Sequence, residues 1–436
     1  MLKQKLLMLL AFSATAATAQ KVAYTEFDLK NGLHVILHQD KTAPVVVTSV
    51  MYHVGSKDEL TNRTGFAHFF EHLLFEGSKN IKRGEFFKIV SSKGGNNNAN
   101  TTQDRTFYYE VFPSNQLETG LWLESERMLH PVINEIGVKT QNEVVKEEKR
   151  LRVDNSPYGN FLAEIMKRLF TKHSYNWVTI GSMEHLDAAT LEEFIAFNKK
   201  YYVPNNAVLV VAGDIDIEKT KKMVGDYFNE IPAGPAIVRN NGKEEPITKQ
   251  IIDTAYDNNI QIPAIMMAYR TPGLTNKESI ALQLVSDVLS QGASSRMYKK
   301  MVDVKKNALQ VGSLNYALED HGAYISYALP SGPVKLETLL NDMNEEIVKL
   351  QNELISETEF TKIRNQYENN YIGKNARMLG IAENLAAGYT FHNKNTNKVN
   401  EELDDVRKIT RNDIQAVAKK YLNVDQRVVI YYLPKK

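Results

Sequence analysis

Hydrophobic and polar positions follow two different periods along this chain, which predicts strands mixed with helices. Continuous or alternating β-branched runs at residues 35–37 and 45–52 predict strands. Apolar residues spaced by three and four at residues 65–75 and 116–130 predict helices with one buried face. The mixture indicates an α/β or α+β architecture, and we predict the α+β class, with mixed sheets packed against helices.

The second half of the chain repeats a pattern of the first half at an offset of 220 residues. Residues 190–200 (TLEEFIAFNKK) and 410–420 (TRNDIQAVAKK) share one frame, and each is followed by a tyrosine, a short turn and a β-branched run. A recurring helix, turn and strand predicts two homologous domains. Coincidence within a common helix–strand pattern is the alternative.

A polar stretch that contains glycine and proline separates the two halves. Residues 231–235 read IPAGP, and residues 239–246 include Asn-Asn-Gly among charged residues. Such composition is typical of a linker or an exposed connection. We therefore predict an N-terminal domain at residues 20–235 and a C-terminal domain at residues 236–436.

The first 19 residues have the pattern of a cleavable secretory signal peptide. Lys3 and Lys5 precede an apolar run at residues 6–12, and small residues at 17–19 come before Gln20. The run is shorter than the roughly 20 residues of a membrane-spanning helix. We expect a secreted protein that starts near Gln20 and has no membrane partner after cleavage of the signal.

Composition excludes several classes of function. The chain has 53 Lys plus Arg and 52 Asp plus Glu residues, so no excess charge favours nucleic acid or an anionic membrane as a partner. It has no cysteine, which excludes disulfides, thiolate metal sites and cysteine nucleophiles. Export without disulfides fits a bacterial periplasm.

The most informative motif is His68-Phe69-Phe70-Glu71-His72, which lies in one of the predicted helices. Residues i and i+4 share one face of a helix, so His68 and His72 can bind one ion with Glu71 beside them. Catalytic zinc needs three protein ligands, an open position for water and a carboxylate that accepts the water proton. This inverted form of H-E-x-x-H supplies two ligands and the base. The alternative is a helix with two solvated histidines.

The third ligand should be a carboxylate from elsewhere, and the helical pattern at residues 139–152 offers Glu143, Glu147 and Glu148. We take Val144 and Val145 to mark its buried side. One stripe of this helix contains Gln141, Val145, Glu148 and Arg152. Glu148 is therefore better placed than Glu147 to point inward, although a solvated, charged helix face is the alternative.

These motifs together resemble the pitrilysin or insulinase family of zinc metallopeptidases, in the branch of the bacterial processing-type peptidases and the mitochondrial processing peptidase. The matching segments are GFAHFFEHLLFEGS (65–78), GGNNNANTTQDRTFYYE (94–110), EVVKEEKRLRVDNSPYG (143–159) and YYVPNNAVLVVAGD (201–214). The resemblance implies that His68, His72 and Glu148 bind Zn²⁺ and that Glu71 activates water. Manganese or cobalt could support similar chemistry in vitro.

The same resemblance implies further site residues. Asn98, Ala99 and Thr101 would lie in an edge strand that binds an extended peptide through main-chain hydrogen bonds, whereas a glycine–asparagine hairpin turn is the alternative. Arg296, in SQGASSRMY, matches an arginine that contacts substrate, but the tyrosine that accompanies it is absent at residues 307–310. Gln141 stands where family members often have a glutamate, so the surroundings of the metal can differ.

The sequence thus predicts a zinc-dependent endopeptidase for short or unfolded peptides. The resemblance implies two halves or subunits that close as a clamshell. It also implies a homodimer, or a heterodimer with a paralogous subunit that lacks zinc and carries the substrate-contacting arginine and tyrosine. A non-catalytic peptide-binding or structural subunit on the same fold is the main alternative. A zinc-storage or zinc-sensing protein would leave Glu71 and the edge strand without a role.

Overall fold

The structure is a computed structural model that describes residues 21–239 and 242–435. The predicted signal peptide at residues 1–19 lies outside the described residues. Within those two described ranges, no helix combines the length and the apolar character that crossing a membrane requires.

The first half is built on a six-stranded mixed sheet. Its strands are β1 (Thr25–Asp28), β2 (His34–Gln39), β3 (Val45–Tyr52), β4 (Asn96–Thr101), β5 (Thr106–Pro113) and β6 (Ala207–Gly213). They lie in the order β1-β2-β6-β3-β5-β4, with β2 and β6 parallel and the other neighbours antiparallel. The helices are α1 (Phe66–Leu73), α2 (Phe86–Ser92), α3 (Leu117–Leu129), α4 (Glu135–Lys149), α5 (Phe161–Leu169), α6 (Met183–Asp187), α7 (Leu191–Tyr201) and α8 (Ile217–Phe228).

The second half is built on a five-stranded mixed sheet. Its strands are β7 (Ile251–Asp257), β8 (Ala264–Pro272), β9 (Ala308–Ala317), β10 (His321–Pro330) and β11 (Arg427–Pro434). They lie in the order β7-β11-β8-β10-β9, with β7 and β11 parallel. The helices are α9 (Lys277–Ser290), α10 (Leu336–Asn352), α11 (Glu357–Asn375), α12 (Met378–Phe391), α13 (Lys398–Lys408) and α14 (Arg411–Tyr421).

The two sheets repeat one topology, as the internal sequence repeat predicts. The parallel pair β2–β6 corresponds to β7–β11, and the edge strand β4 corresponds to the edge strand β9. Helices α7 and α14 both begin with a capping box, formed by Thr190 with Glu193 and by Thr410 with Asp413. The predicted α+β class with two mixed-sheet domains is therefore confirmed. The domain boundary at residue 235 stays a prediction.

Most described residues of the connection between the halves are exposed, which agrees with the prediction, but Glu244 within it is buried. Glu244 is only 8% exposed. Its Oε1 accepts hydrogen bonds from the backbone N–H groups of Thr171, Lys172 and His173 at 2.6, 2.6 and 2.8 Å. Backbone donors in the interior need partners, and this carboxylate satisfies three of them. The connection is thereby attached to the first half.

Each sheet is covered on one face by helices of its own half and on the other face by a helix of the opposite half. Successive residues of a strand point to opposite faces, and both faces of the central strands, such as β6 and β8, are apolar. The outer face of the first sheet packs against α12 of the second half, through Ile381, Ala382, Leu385 and Ala386. The outer face of the second sheet packs against α5 of the first half, through Ile165, Met166 and Leu169. The two halves therefore complete each other's cores.

Replacing Leu385 with alanine should lower the free energy of unfolding by about 2–5 kcal/mol, because the change removes a buried side chain and leaves a cavity. Both tryptophans, Trp122 and Trp177, lie in the first half, so their fluorescence reports the unfolding of that half. Since Leu385 covers the first sheet from the second half, the fluorescence transition should move to a lower urea concentration. An unmoved transition would contradict the exchange of helices as a source of stability.

Leu350→Ala is the matched control, because Leu350 is equally buried but belongs to the core of the second half alone. A fluorescence shift in both variants means that the halves unfold as one cooperative unit. A shift for Leu385→Ala alone means that the effect is the direct loss of cover on the first sheet.

Candidate metal centre

Helix α1 presents His68 and His72 on one side because its other side is apolar. The five residues of the predicted apolar face are between 0% and 4% exposed: Phe66, Phe69, Phe70, Leu73 and Leu74. The helix starts after Gly65, whose φ of 98° lies in the left-handed region that favours glycine. The imidazole rings of His68 and His72 lie with their centroids 4.9 Å apart and their planes at 81°. Packing of the aromatic face thus fixes the direction of both imidazoles.

Glu59 caps the N-terminus of α1 from a distance in the sequence. Its two carboxylate oxygens accept hydrogen bonds from the backbone N–H of Gly65 at 2.9 Å and of Ala67 at 2.8 Å. Trp177 Nε1 donates a third bond at 3.0 Å. Burial raises the pKa of Glu59 to about 8, although these three donors favour the carboxylate. The sequence pattern did not identify this cap, because its acceptor is not the residue that directly precedes the helix.

One oxygen of Glu148, on α4, faces both imidazoles. Glu148 Oε2 lies 3.5 Å from His68 Nε2 and 3.1 Å from His72 Nε2. The ligand atoms of the three residues all lie within 4.8 Å of one another. Two ligands that bind zinc tetrahedrally at about 2.1 Å are roughly 3.4 Å apart, so this donor set fits one zinc ion.

The other oxygen of Glu148 pairs with Arg152. Arg152 Nη1 lies 2.7 Å from Glu148 Oε1, and its side chain is 77% exposed. Helix α4 ends at Lys149, and a π-helical turn at Arg150–Asp154 carries Arg152 to the rim of the cleft. The guanidinium therefore compensates the outer oxygen, while Oε2 stays directed at the imidazoles.

Of the two valines that we took to mark the buried side of α4, one is assigned correctly and the other is not. Val145 is fully buried, whereas Val144 is 43% exposed. Neighbouring helical residues differ by about 100° around the axis, and the buried stripe is narrower than that separation. Glu147 points to solvent and pairs with Arg150, with 53% of its side chain exposed. Glu148 is the residue of this acidic pair that faces the cleft.

The local electrostatics favour the metal-binding protonation states of His68 and Glu148. Burial, together with the neighbouring His72, lowers the pKa of His68 to about 4. A hydrogen bond with His72 lowers the pKa of Glu148. At neutral pH the site thus contains a neutral imidazole at His68 and an ionised carboxylate at Glu148, the forms that bind metal.

Glu71 lies beside the cluster and is held by the neighbouring strand. Its Oε2 accepts a hydrogen bond from Thr101 Oγ1 at 2.7 Å. Burial raises the pKa of Glu71, and the hydrogen bond from Thr101 opposes this rise. Sequence reasoning selected both residues but missed their contact, because it joins a helix to a strand that is 30 residues away.

Strand β4 is an edge strand, and its register decides which backbone groups are free. The N–H of Thr102 donates to the C=O of Arg105, so the residue pairs that exchange bonds with β5 include Asn98 and Asn100. The alternate residues Asn97, Ala99 and Thr101 turn their backbone groups to the open edge. The Ala99 N–H there is covered by the side chain of Asn98, whose Oδ1 lies 2.9 Å away.

Two further residues selected from the sequence make contacts away from the cluster. Arg296 forms a two-pronged ion pair with Glu359 of α11, with Nε 2.9 Å from Oε1 and Nη2 3.0 Å from Oε2. Gln141 donates to Glu76. The structure thus assigns Arg296 a partner within the second half, and its predicted role with substrate stays a prediction.

The cluster and the edge strand line one cavity of about 360 Å³. His68, Glu71 and Glu148 line it from the helices, and Ala99 and Thr101 line it from β4. Apolar walls come from Leu162, Val178 and Ile180. A cavity of this size with a few convergent polar groups is typical of a ligand site.

Comparison with known proteins gives family matches in both halves. The insulinase family model (peptidase family M16) matches residues 34–176, which include the whole cluster. A model described as the peptidase M16 inactive domain matches residues 188–367. The zinc protease PqqE of Helicobacter pylori is 29% identical over 415 residues, which are 93% of this chain and 92% of that protein. The uncharacterized zinc protease YmxG of Bacillus subtilis is 23% identical over 375 residues, 82% of this chain and 89% of that protein.

Solved structures agree with this result. The crystal structure of a protease from Helicobacter pylori has a TM-score of 0.89 and 28% identity, and the match covers 94% of this chain and 99% of that one. The peptidase M16 inactive domain from Pseudomonas fluorescens has a TM-score of 0.84 at 18% identity, with 95% and 98% covered, which supports the fold alone.

Glu148→Gln should weaken zinc binding on the order of 100-fold or more, because the amide has no anionic oxygen to face the two imidazoles. Glu147→Gln is the matched control, since this neighbour is exposed and pairs with Arg150. Calorimetric titration with zinc measures the affinity of both variants, and metal analysis measures how much zinc each one retains. Equal affinities would contradict the assignment of Glu148 as the third ligand.

Proposed function

The chain belongs to the insulinase family of peptidases, family M16, and we propose that it is a zinc-dependent endopeptidase that hydrolyses short or unfolded peptides. One observation carries the proposal: His68, His72 and Glu148 converge within 4.8 Å, with Glu71 beside them in the same cavity. Two imidazoles, one carboxylate and a separate, half-buried carboxylate are the groups that metal-assisted hydrolysis needs.

His68 Nε2, His72 Nε2 and Glu148 Oε2 would hold the metal. When bound there, zinc supplies Lewis acidity, which polarises a carbonyl group and acidifies water. Arg152 keeps the outer oxygen of Glu148 compensated, so the inner oxygen remains available as a ligand. The names of the related zinc proteases support zinc as the metal.

Glu71 would act as the general base and then as the general acid. Its carboxylate accepts one proton from the attacking water and delivers that proton to the leaving amine, so the residue returns to its ionised form. Thr101 Oγ1 fixes the direction of the Glu71 carboxylate through the bond to Oε2. The raised pKa of Glu71, which burial causes, favours uptake of the proton.

Strand β4 would be the docking strand for substrate. An extended peptide can pair with the open-edge backbone groups of Asn97, Ala99 and Thr101, which places it beside Glu71. The hydrogen bond from the Ala99 N–H to Asn98 Oδ1 has to break before this N–H can donate to a substrate carbonyl group. Pairing through the main chain selects extended peptides over folded proteins.

Export to a bacterial periplasm and assembly into a dimer are part of the same proposal. The sequence pattern of residues 1–19 and the lack of cysteine support export. The partner would be a second copy or a paralogous subunit that lacks zinc and supplies the arginine and tyrosine. Arg296 is retained here, whereas the tyrosine is absent at residues 307–310.

A non-catalytic subunit on the same fold is the second candidate function. The match of residues 188–367 to a model described as an inactive domain favours it. The four residues of the cluster and base lie outside that range, at residues 68–148. Cleavage of a fluorogenic peptide by the zinc-loaded protein decides between the two functions.

Glu71→Gln should leave zinc binding unchanged and lower the rate of peptide cleavage by on the order of 10²–10⁴. Glutamine keeps the size of the side chain and can still accept from Thr101, but it cannot take up the proton. Metal analysis and turnover of a fluorogenic peptide measure the two properties separately.

Glu76→Gln serves as the control, because Glu76 lies just beyond the end of α1 and binds Gln141 and Arg83. Chelation should abolish cleavage by the unmodified protein, and added zinc should restore it. Retained turnover by Glu71→Gln would refute the assigned base, whereas turnover that survives chelation would refute a metal requirement.

A further inference from the structure

The loop that joins β4 to β5 consists of residues Thr102 to Arg105. Other residues of the first half bind its backbone through hydrogen bonds. The N–H groups of Ser56 and Lys57 donate to the C=O groups of Thr102 and Gln103 at 3.2 and 3.0 Å. Gly55 lies so close that an added Cβ would stand 2.4 Å from the loop backbone. The loop backbone therefore rests on a segment of its own domain.

The side chains of this loop instead contact the second half. Gln103 Oε1 accepts from Tyr316 Oη of β9 at 2.7 Å. Asp104 Oδ2 accepts from the backbone N–H of Glu319, in the turn between β9 and β10, at 2.9 Å. Arg105 Nη2 donates to Glu383 Oε1 of α12 at 2.7 Å. Three consecutive loop residues thus bind three different elements of the opposite half.

These contacts are shielded from solvent. Gln103 and Asp104 are 1% and 3% exposed. Lys57 Nζ lies 3.0 Å from Asp104 Oδ1 and also pairs with Glu319. Burial alone would lower the pKa of Lys57, but the surrounding carboxylates of Asp104, Glu319 and Asp320 raise it to about 12. Lys57 is therefore a buried ammonium group that pairs with a carboxylate of each half.

Arg105 connects the second half to the docking strand. Its Nη1 donates to the side chain and the backbone oxygen of Asn100 in β4, while Nη2 binds Glu383. Thr101, the next residue, donates to Glu71. Glu383 is on α12, the helix that covers the outer face of the first sheet. A short path of direct contacts thus runs from the second half to the proposed base.

We propose that the second half positions the docking strand of the first half through Tyr316, the turn at Glu319, and Glu383. An edge strand has one neighbour only, so the backbone bonds to β5 leave its free side unsupported. The contacts of the second half with the adjoining loop supply the missing restraint and fix the position of β4 relative to Glu71. The three residues are positioning residues that do not touch the reacting atoms.

The consequence for catalysis rests on the proposed function, but the positioning itself can be measured without activity. Tyr316→Phe removes the hydrogen bond to Gln103, and Glu383→Gln removes the charge that pairs with Arg105, each with a small change of shape. Glu368→Gln and Tyr371→Phe are the matched controls: Glu368 pairs with Arg407, and Tyr371 donates to Val399, both within the second half. The double variant Tyr316→Phe/Glu383→Gln tests the loss of both contacts together.

Hydrogen–deuterium exchange with mass spectrometry is the first measurement. In the double variant, exchange of the segment at residues 96–101 should accelerate by on the order of 10-fold or more, while β3, in the sheet centre, keeps its protection. The two controls should match the unmodified protein. Unchanged exchange in β4, or equal acceleration in β3 and β4, overturns the proposal, since the latter is a general loss of stability.

Peptide-cleavage kinetics with the zinc-loaded protein are the second measurement. The double variant should lose kcat/KM by on the order of 10-fold to 100-fold, mainly through KM, with zinc stoichiometry unchanged. Glu383→Asp, which keeps the charge, should recover part of the loss. Loss confined to thermal stability, with KM unchanged, overturns the proposal. If the unmodified protein cleaves no peptide, the proposed function fails, and the exchange measurement alone decides the positioning.

Discussion

Burial of both faces of both sheets is the constraint on which the structure depends. Strands such as β3 and β6 are apolar at almost every position, so neither sheet can leave a face to solvent. Helices α12 and α5 cover the outer faces by crossing to the opposite half. Each large side chain that becomes buried contributes about 1.5–3 kcal/mol, so several such residues on each helix outweigh the polar contacts between the halves, at about 0.5–1.5 kcal/mol each.

The apolar contacts between the halves hold the two halves together, whereas the polar contacts position particular segments. Apolar burial is non-directional, so it holds the halves together without fixing the position of an individual loop. Hydrogen bonds and ion pairs are directional, and three of those between the halves act on one four-residue loop beside the edge strand. The charged junction at Lys57 adds little net stability, because desolvation offsets its ion pairs. Its effect is to specify one arrangement of the hairpin.

Helix α1 has its own support from the sheet beneath it. Tyr108 of β5 donates to the C=O of Phe70 at 2.8 Å. Behind Tyr108, the guanidinium of Arg127 lies 4.3 Å from the ring centroid and pairs with Glu110 at 2.9 Å. Burial and the adjacent Glu124 raise the pKa of Glu110. In the two described ranges, residues 68–148 contain the single cluster of this kind, so the second half repeats the fold without a counterpart to the site.

Local sequence patterns determined the elements and much of the candidate site. The 3.6-residue period placed His68 and His72 opposite five buried side chains, and the offset of 220 residues identified the duplicated helix and strand. The sequence also favoured Glu148 over Glu147, although it misassigned Val144. It did not predict the cap by Glu59 or the bond from Thr101 to Glu71. It also did not predict the packing of α5 and α12 on the opposite half, or the contacts of the second half with the β4–β5 loop. Periodicity reveals which face of an element is buried, because residues one helical turn apart, or two apart in a strand, point to the same side. What covers the face depends on residues that only the tertiary structure brings together.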